Sequence, residues 1–396
     1  METVNRFISN KKYILFLYLF IAIIASLQAY FSSPKTFVPD GPLFTSYNNY
    51  LIFKYSFFHI IQGQDLYVLY PEEYHDLYKY SPAFALLFGP LSIMPDLVGL
   101  TLWNILNALV LFYAVYYLPF GNTKTKGLIL IIVLIELLTS LQNEQSNGLI
   151  AGLLVFSFGF LEKRKYWLAS LCIVLSIYIK LFGIVAFALY LLYPNKPKLF
   201  YTTLVWMAIF TLAPFLITNT QEFVYLYKSW GNLLANDHSI SDGISVIGWL
   251  KTWFGFNFDK SAVSLIGAAL FCIPLLRYKS YIHFNYRILL LTSILIWVVI
   301  FNHRAESPTF VIAVAGVAIW YYTLKISKLN QILLLFTILF TILSATDIYP
   351  KFIKTNWFVP YVVKGVPCIL IWIKIIYDMT WADLRPTNSA VLLENN

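Results

Sequence analysis

Runs of about twenty apolar residues, the length that a bilayer-spanning helix needs, recur along almost the whole chain. This feature limits the possible folds more than any other. Of the 396 residues, 59% are hydrophobic and only 12% are charged, whereas soluble domains carry about 25% charged residues. The sequence therefore excludes a cytosolic enzyme, a secreted disulfide scaffold, a disordered protein and a nucleic-acid-binding domain. It predicts an all-α polytopic membrane protein.

Twelve membrane-spanning helices are predicted from these runs. They lie near 13–31, 82–118, 127–142, 146–161, 166–179, 180–193, 200–218, 261–277, 286–302, 307–324, 330–347 and 360–377. The second run is too long for one perpendicular helix and contains Pro95-Asp96 in its middle. We interpret it as a single crossing with a bent or protruding outer end, because two crossings would invert every later segment.

Basic residues predict the orientation of the spans. Six short segments, 46 residues in total, hold 15 Lys and Arg, whereas the long loops 32–81 and 219–260, with 92 residues, hold only six. Because positive charge is retained on the cytoplasmic side, both long loops should lie outside, with the N- and C-termini in the cytoplasm. We predict one domain over 1–378, in the cytoplasmic (plasma) membrane, followed by a cytoplasmic tail over 379–396.

The cytoplasmic loops offer no room for nucleotide chemistry. The sequence contains neither a P-loop nor a G-x-G-x-x-G motif. The three cysteines lie inside apolar segments without zinc-ligand spacing. We therefore expect no cofactor and no metal site. Any chemistry should be extracytoplasmic and draw its energy from neither ATP nor a nucleotide sugar in the cytosol.

The first long loop contains a predicted helix. Ser46 is a plausible N-cap, and Gly63 is a natural stop. Its apolar residues recur at helical spacing, namely Tyr50, Phe53, Phe57, Phe58 and Ile61, while Asn48, Tyr55, His59 and Gln62 occupy another side. This pattern favours an amphipathic helix on the outer leaflet, and the alternative is a helix packed against the bundle. In either case the polar side should face an outer aqueous cavity.

Lys180 is the most informative single residue, because it separates two apolar half-spans. An intramembrane lysine is costly unless it is paired or reaches a wet cavity. One interpretation is snorkelling or an ion pair with Glu136, and the other is binding of an anionic group at the outer surface. The other polar residues expected at this face are Gln145, Asn147, His238, His303, Arg304 and Glu306. Arg304 is the best suited of them to grip phosphate, although 303–306 is also compatible with a plain interfacial turn.

Several short motifs, in order, resemble glycosyltransferase family 87, the polyprenyl-phosphate-mannose type of C-fold membrane glycosyltransferase. The motifs that show this resemblance are Gly63-Gln64-Asp65-Leu66-Tyr67 after the outer helix, Tyr80-Ser81-Pro82 before the second span, Gln145-Ser146-Asn147-Gly148, the interrupted hairpin around Lys180, and Glu306-Ser307-Pro308. The resemblance covers roughly residues 10 to 325. It implies a GT-C-like bundle.

The resemblance also implies a reaction. Such enzymes move a hexose, typically mannose, from a polyprenyl-phosphate carrier to a hydroxyl of an extracytoplasmic glycan or lipid acceptor. A carboxylate in the first outer loop would act as general base, and cations would stabilise the leaving phosphate. Lys180 and Arg304 are the main candidates for the cations, with Lys79 and His303 as lesser ones. The alternatives are a flippase or transporter of lipid-linked sugars and a non-catalytic assembly protein.

One position departs from the family pattern. The resemblance aligns the usual catalytic aspartate with Asn49, and an asparagine cannot act as a base. Asp76 and Asp40 are the replacements we favour, in that order, with Asn49 orienting the acceptor by a hydrogen bond. The remaining residues expected to line the acceptor cavity are Asn48, His59, Gln145, Asn147, His238 and Glu306.

Overall fold

The computed structural model describes residues 2–37, 41–236, 241–324 and 326–384. These residues form helices and no strand, apart from an isolated bridge between Lys35 and Phe44. The all-helical prediction is confirmed.

The α-helices are α1 Glu2–Ile8, α2 Lys11–Phe31, α3 Asn48–Ile61, α4 Pro82–Leu87, α5 Gly89–Ser92, α6 Asp96–Tyr117, α7 Thr123–Leu141, α8 Asn147–Glu162, α9 Tyr166–Ile179, α10 Lys196–Leu212, α11 Thr220–Asn236, α12 Val246–Phe254, α13 Lys260–Cys272, α14 Phe284–Ile300, α15 Phe310–Thr323, α16 Lys328–Phe336, α17 Lys351–Ile353 and α18 Val366–Trp381. The 3₁₀ helices are Leu181–Leu192, Ala213–Leu216, Pro274–Leu276, Tyr278–Ile282, Ser307–Thr309, Leu343–Ala345 and Val363–Gly365. Two π-helical stretches are Thr337–Ile342 and Lys354–Phe358.

The lengths of these helices support an integral membrane protein but not all twelve predicted spans. Within the described residues, four helices are long and apolar enough to cross a bilayer: Lys11–Phe31, Asp96–Tyr117, Lys196–Leu216 and Lys328–Ala345. A bent pair, Lys351–Phe358 and Val363–Trp381, makes up to five. Six further apolar helices have 10–17 residues, because turns and 3₁₀ segments interrupt the runs. The twelve-span count and the orientation of the termini stay predictions.

The run 82–118 is divided as its sequence suggested. Helices α4 and α5 form its first part, and α6 begins at Asp96, directly after Pro95. Only the 22-residue α6 is long enough to span. The division is compatible with a single crossing preceded by a bent segment.

Helix α15 lies at the centre of the bundle, packed against α7, α8 and α14. Every residue from Phe310 to Trp320 is buried, which is typical of a helix that is apolar on all sides. Helix α6 packs against α2 and α8. This core fixes the ends of the helices whose connecting turns carry the polar residues.

Helix α3 is packed on both sides, which corrects the interpretation of an amphipathic helix with one wet face. Its apolar Tyr50 and Phe53 are buried, and so are the polar Asn48 and His59. Its N-cap is Tyr47 rather than Ser46, while Gly63 adopts φ +67° just beyond its end, as the predicted stop requires. The alternative of a helix packed against the bundle therefore describes α3 better.

Candidate functional site

The turn between α7 and α8 gathers polar groups at one end of the bundle. Helix α6 holds its backbone in place, because the indole nitrogen of Trp103 donates to the carbonyl oxygen of Glu144 at 2.7 Å. The amide oxygen of Asn107 accepts from the backbone N–H of Leu149 at 2.8 Å. These buried bonds orient Asn147, the first residue of α8, towards the neighbouring segments.

Asn147 joins three segments through its side-chain amide. Its Nδ2 donates to Oε1 of Gln145 at 2.7 Å and to the carbonyl oxygen of Pro308 at 3.0 Å. Its Oδ1 accepts from Nζ of Lys180 at 2.7 Å. The amide therefore ties the turn 142–147, the start of the Ser307–Thr323 helical segment and the tip of the 166–193 hairpin into one unit.

Lys180 lies at the break that the sequence predicted. Helix α9 ends at Ile179, Lys180 is extended at φ −139° and ψ 119°, and a 3₁₀ helix begins at Leu181. The two arms fold closely, since a Cβ on Gly183 would lie 2.3 Å from Oγ of Ser176. Lys180 forms no salt bridge within the described part of the chain, and Glu136 pairs with Lys364 at 2.8 Å. The alternative pairing of Lys180 with Glu136 is therefore wrong.

Glu306 adds an exposed carboxylate to the same place. Its Oε2 accepts from Nε2 of Gln145 at 3.2 Å, and its charge is close enough to act on the Lys180 ammonium. Tyr80 lies close to Glu306. Burial raises the pKa of the Tyr80 hydroxyl, and the nearby charges of Glu306 and Asp76 raise that pKa further. We call Tyr80, Gln145, Asn147, Lys180 and Glu306 the polar cluster.

A fourth segment supports the turn that carries Glu306. The backbone N–H of Ile244 donates to the carbonyl oxygen of Ala305 at 2.8 Å. A Cβ on Gly243, which adopts φ +61°, would lie 2.5 Å from the carbonyl oxygen of His303. Only glycine allows this close approach. The turn that this segment supports carries Glu306 and also His303 and Arg304, the predicted phosphate ligands.

A comparison with known protein families matches residues 78–320 to glycosyltransferase family 87. The match covers more than half of the chain and includes every member of the polar cluster. The chain belongs to glycosyltransferase family 87. No curated protein matches the sequence. Membership implies a membrane glycosyltransferase, which agrees with the apolar helices.

Within this family-87 chain, the predicted bases have different surroundings from the polar cluster. Asp76 adopts φ +78° and its side chain is 53% exposed. Lys79 donates to both of its carboxylate oxygens, at 2.9 and 3.0 Å. Lys79, which the sequence suggested as a lesser phosphate ligand, is thus the ion-pair partner of Asp76. Asp40 and His238 lie outside the described residues.

The residues expected to line an acceptor cavity from α3 are engaged elsewhere. Asn48 exchanges two hydrogen bonds with the backbone of His75. Asn49 donates from Nδ2 to the carbonyl oxygen of Asn143 at 2.8 Å. His59 bonds to Glu73 at 2.7 Å and is buried. Asn48 and His59 therefore lie within the packing of the first loop, while Asn49 links α3 to the turn 142–147.

Lys364 was not predicted from the sequence to lie near the site. Its Nζ donates to Oε2 of the fully buried Glu136 at 2.9 Å and to Oγ of Ser307 at 2.7 Å. A signal was present, because Lys364 is an ionisable residue inside the last predicted span. Nothing in the pattern, however, distinguished Lys364 from Lys180 as the partner of Glu136.

Proposed function

We propose that this protein transfers a hexose, such as mannose, from a polyprenyl-phosphate carrier to a hydroxyl group of an extracytoplasmic glycan or lipid. The supporting observation is the polar cluster. It combines Lys180, whose hydrogen-bond acceptor is a neutral amide, with the exposed carboxylate of Glu306. An ammonium without a tight carboxylate partner retains its capacity to bind an anion. A carboxylate beside it supplies the second group that glycosyl transfer requires.

Lys180 is suited to the leaving phosphate. When the bond between the anomeric carbon and the phosphate oxygen breaks, its electron pair stays on the phosphate, whose charge grows. A prepositioned ammonium stabilises this charge in the transition state. Asn147 would hold the ammonium in place, and Arg304 and His303, on the turn beside Glu306, would contribute further contacts to the same phosphate.

Glu306 is the better base of the two described acids near Tyr80. A general base accepts the proton of the acceptor hydroxyl while that oxygen attacks the anomeric carbon, and it must come within about 2.6–3.2 Å of the hydroxyl. Glu306 is exposed, accepts from Gln145 at 3.2 Å and caps the backbone N–H of Thr309. Because a carboxylate has about four lone-pair sites, it retains acceptor capacity for a hydroxyl. Asp76, the base favoured by the sequence, is bound on both oxygens by Lys79. Asn49 remains a candidate for orienting the acceptor.

The experiment is transfer of radiolabelled sugar from a polyprenyl-phosphate donor by the purified protein in vesicles. A general base contributes about 10²–10⁴-fold, so Glu306→Gln should reduce kcat by at least a hundredfold. Asp76→Asn should reduce it less than tenfold. Lys79→Ala, which removes the partner of Asp76 alone, is the control for disturbance of the loop. A larger loss of kcat for Asp76→Asn than for Glu306→Gln would identify Asp76 as the base. If the wild-type protein transfers no sugar, the proposed function is refuted.

A further inference from the structure

An apolar cavity lies among the C-terminal helices, apart from the polar cluster. Its volume of about 890 Å³ falls within the ~300–1,000 Å³ of small-molecule sites. Aromatic side chains dominate its lining, among them Trp249, Trp253, Phe336, Phe340, Trp357 and Tyr361. Nearly all of the lining surface is carbon. Such a surface favours a hydrocarbon ligand.

A break in the helical chain opens this cavity. The segments Lys351–Phe358 and Val363–Trp381 meet at 80°, and Val362 between them adopts φ +53°, an uncommon conformation for a β-branched residue. Helix α12 braces the break, because the indole nitrogen of Trp253 donates to the carbonyl oxygen of Tyr361 at 2.6 Å. The aromatic wall is therefore anchored by backbone as well as by packing.

Two structural connections lead from the cavity to the polar cluster. Val363 and Val366 line the cavity, and Lys364 between them reaches Ser307, the residue after Glu306, at 2.7 Å. The second connection is the segment from Ile244, bonded to Ala305, to Trp249 in the cavity wall. Both connections join the cavity wall to the turn that carries His303, Arg304 and Glu306.

We propose that this cavity binds the isoprenoid chain of the lipid-linked sugar donor, with the phosphate group at Lys180 and the turn 303–306. This assignment rests on the proposed function. The continuity between the cavity and the polar cluster identifies the occupant. A donor with a charged head and a long apolar chain needs a cationic site joined to an apolar one, and the two connections place these sites on the same structural elements. Planar aromatic faces also suit the unsaturated, methyl-branched units of an isoprenoid.

The cavity belongs largely to the part of the chain that follows the family match. Most of its lining lies beyond residue 320, where the match to glycosyltransferase family 87 ends. The segment over 328–381 would thus determine which carrier chain is accepted, while the matched region carries the polar cluster.

Photolabelling tests the location of the chain without requiring transfer. The probe is undecaprenyl phosphate with a diazirine in its chain and no sugar, added to the full-length protein in phosphatidylglycerol vesicles. Labelled peptides should come from 246–258 and 351–370. A diazirine-bearing phosphatidylglycerol at the same concentration should label these peptides at least fivefold less. Equal labelling by both probes, or labelling concentrated elsewhere, would show a general lipid surface and overturn the assignment.

A matched pair of tryptophan variants tests the effect on the reaction. Trp357 lines the cavity and is 58% exposed, whereas Trp381 on α18 lies outside the lining and is 67% exposed. Trp357→Ala should raise KM for an undecaprenyl-phosphate donor at least fivefold and leave KM for a geranyl-phosphate donor unchanged. Trp381→Ala should change neither.

The outcomes separate this inference from the proposed function. Equal effects of Trp357→Ala and Trp381→Ala in an active enzyme would overturn the cavity assignment and leave the transferase intact. Cavity labelling by a protein that transfers no sugar would refute the transferase and retain the binding site.

Discussion

The buried Lys364 and the half-buried Lys180 flank the turn that carries Glu306, and their surroundings differ. Lys364 is neutralised by Glu136, a carboxylate with no solvent exposure, and also bonds to Ser307. Lys180 bonds to the amide oxygen of Asn147, and the charged group near it is the exposed Glu306. The side of the turn around Lys364 is thus closed by an ion pair, while the side around Lys180 retains an ammonium with a neutral partner.

This difference separates support from chemistry. Breaking a buried ion pair leaves an uncompensated charge in a medium that solvates it poorly. Removing Lys364 or Glu136 alone should therefore lower the stability of the protein. A lysine held by an amide is positioned without being neutralised, and an incoming phosphate would supply the missing negative charge. We therefore expect substitutions on the two sides to affect different measurements.

Of the substitutions at the two lysines and their partners, the largest effect is expected at Lys180. Lys180→Ala should reduce kcat by about 10²–10³-fold, the usual loss when one stabilising donor is removed from a transition state. The thermal midpoint of unfolding should change little, because a lysine without a carboxylate partner contributes little net pairing energy. Asn147→Ala should give a smaller loss, since it releases the ammonium without removing it. A near wild-type rate for Lys180→Ala would make both lysines structural.

A large stability effect is expected on the opposite side. Lys364→Met removes one partner of the buried pair and should destabilise the protein by about 3–5 kcal/mol. The double variant Lys364→Met, Glu136→Gln removes both charges and should recover most of this loss. Thermal unfolding in detergent measures both. If the double variant is no more stable than the single one, the pair does not account for the difference between the two sides.

The fold and part of the site followed from the sequence, and the reasons are local. Apolar periodicity predicted the helices, Gly63 the end of α3, and Lys180 the break in its hairpin, because each depends on neighbouring residues. The partner of Glu136 did not follow, since it lies 228 positions away on a different helix. Nor did the burial of Asn48 and His59, because a polar side of one helix does not reveal that a loop will cover it.

A smaller effect is expected at Glu144, a buried carboxylate in the turn 142–147. Glu144 is buried, and its Oε1 has no hydrogen-bond partner among the described residues. Burial raises the pKa of its carboxyl group well above the usual value, despite an opposing contribution from Lys35. Its contribution to stability is therefore largest at low pH and is lost as the pH rises through the raised pKa. Glu144→Gln should raise the unfolding midpoint at pH 7.5 relative to the wild type, and the gain should shrink towards pH 4.5. A gain that does not change with pH would attribute the effect to packing.

The smallest effect is expected at His59, whose titration should have the opposite slope. The imidazole stacks on Tyr70 and lies close to Tyr74, while its Nε2 contacts Glu73 at 2.7 Å. Burial lowers the pKa of His59 from its ordinary 6.5, and Glu73 partly opposes this shift. A base whose pKa is lowered by folding stabilises the protein above pH 6.5, and that contribution is lost as the pH falls through the folded pKa. The wild type should therefore lose stability relative to His59→Gln between pH 7 and pH 5. Unfolding midpoints of both proteins across this range measure the difference. Parallel curves would mean that Glu73 fully compensates the effect of burial on the pKa of His59. The charge of His59 would then be compensated by its carboxylate partner, as that of Lys364 is by Glu136.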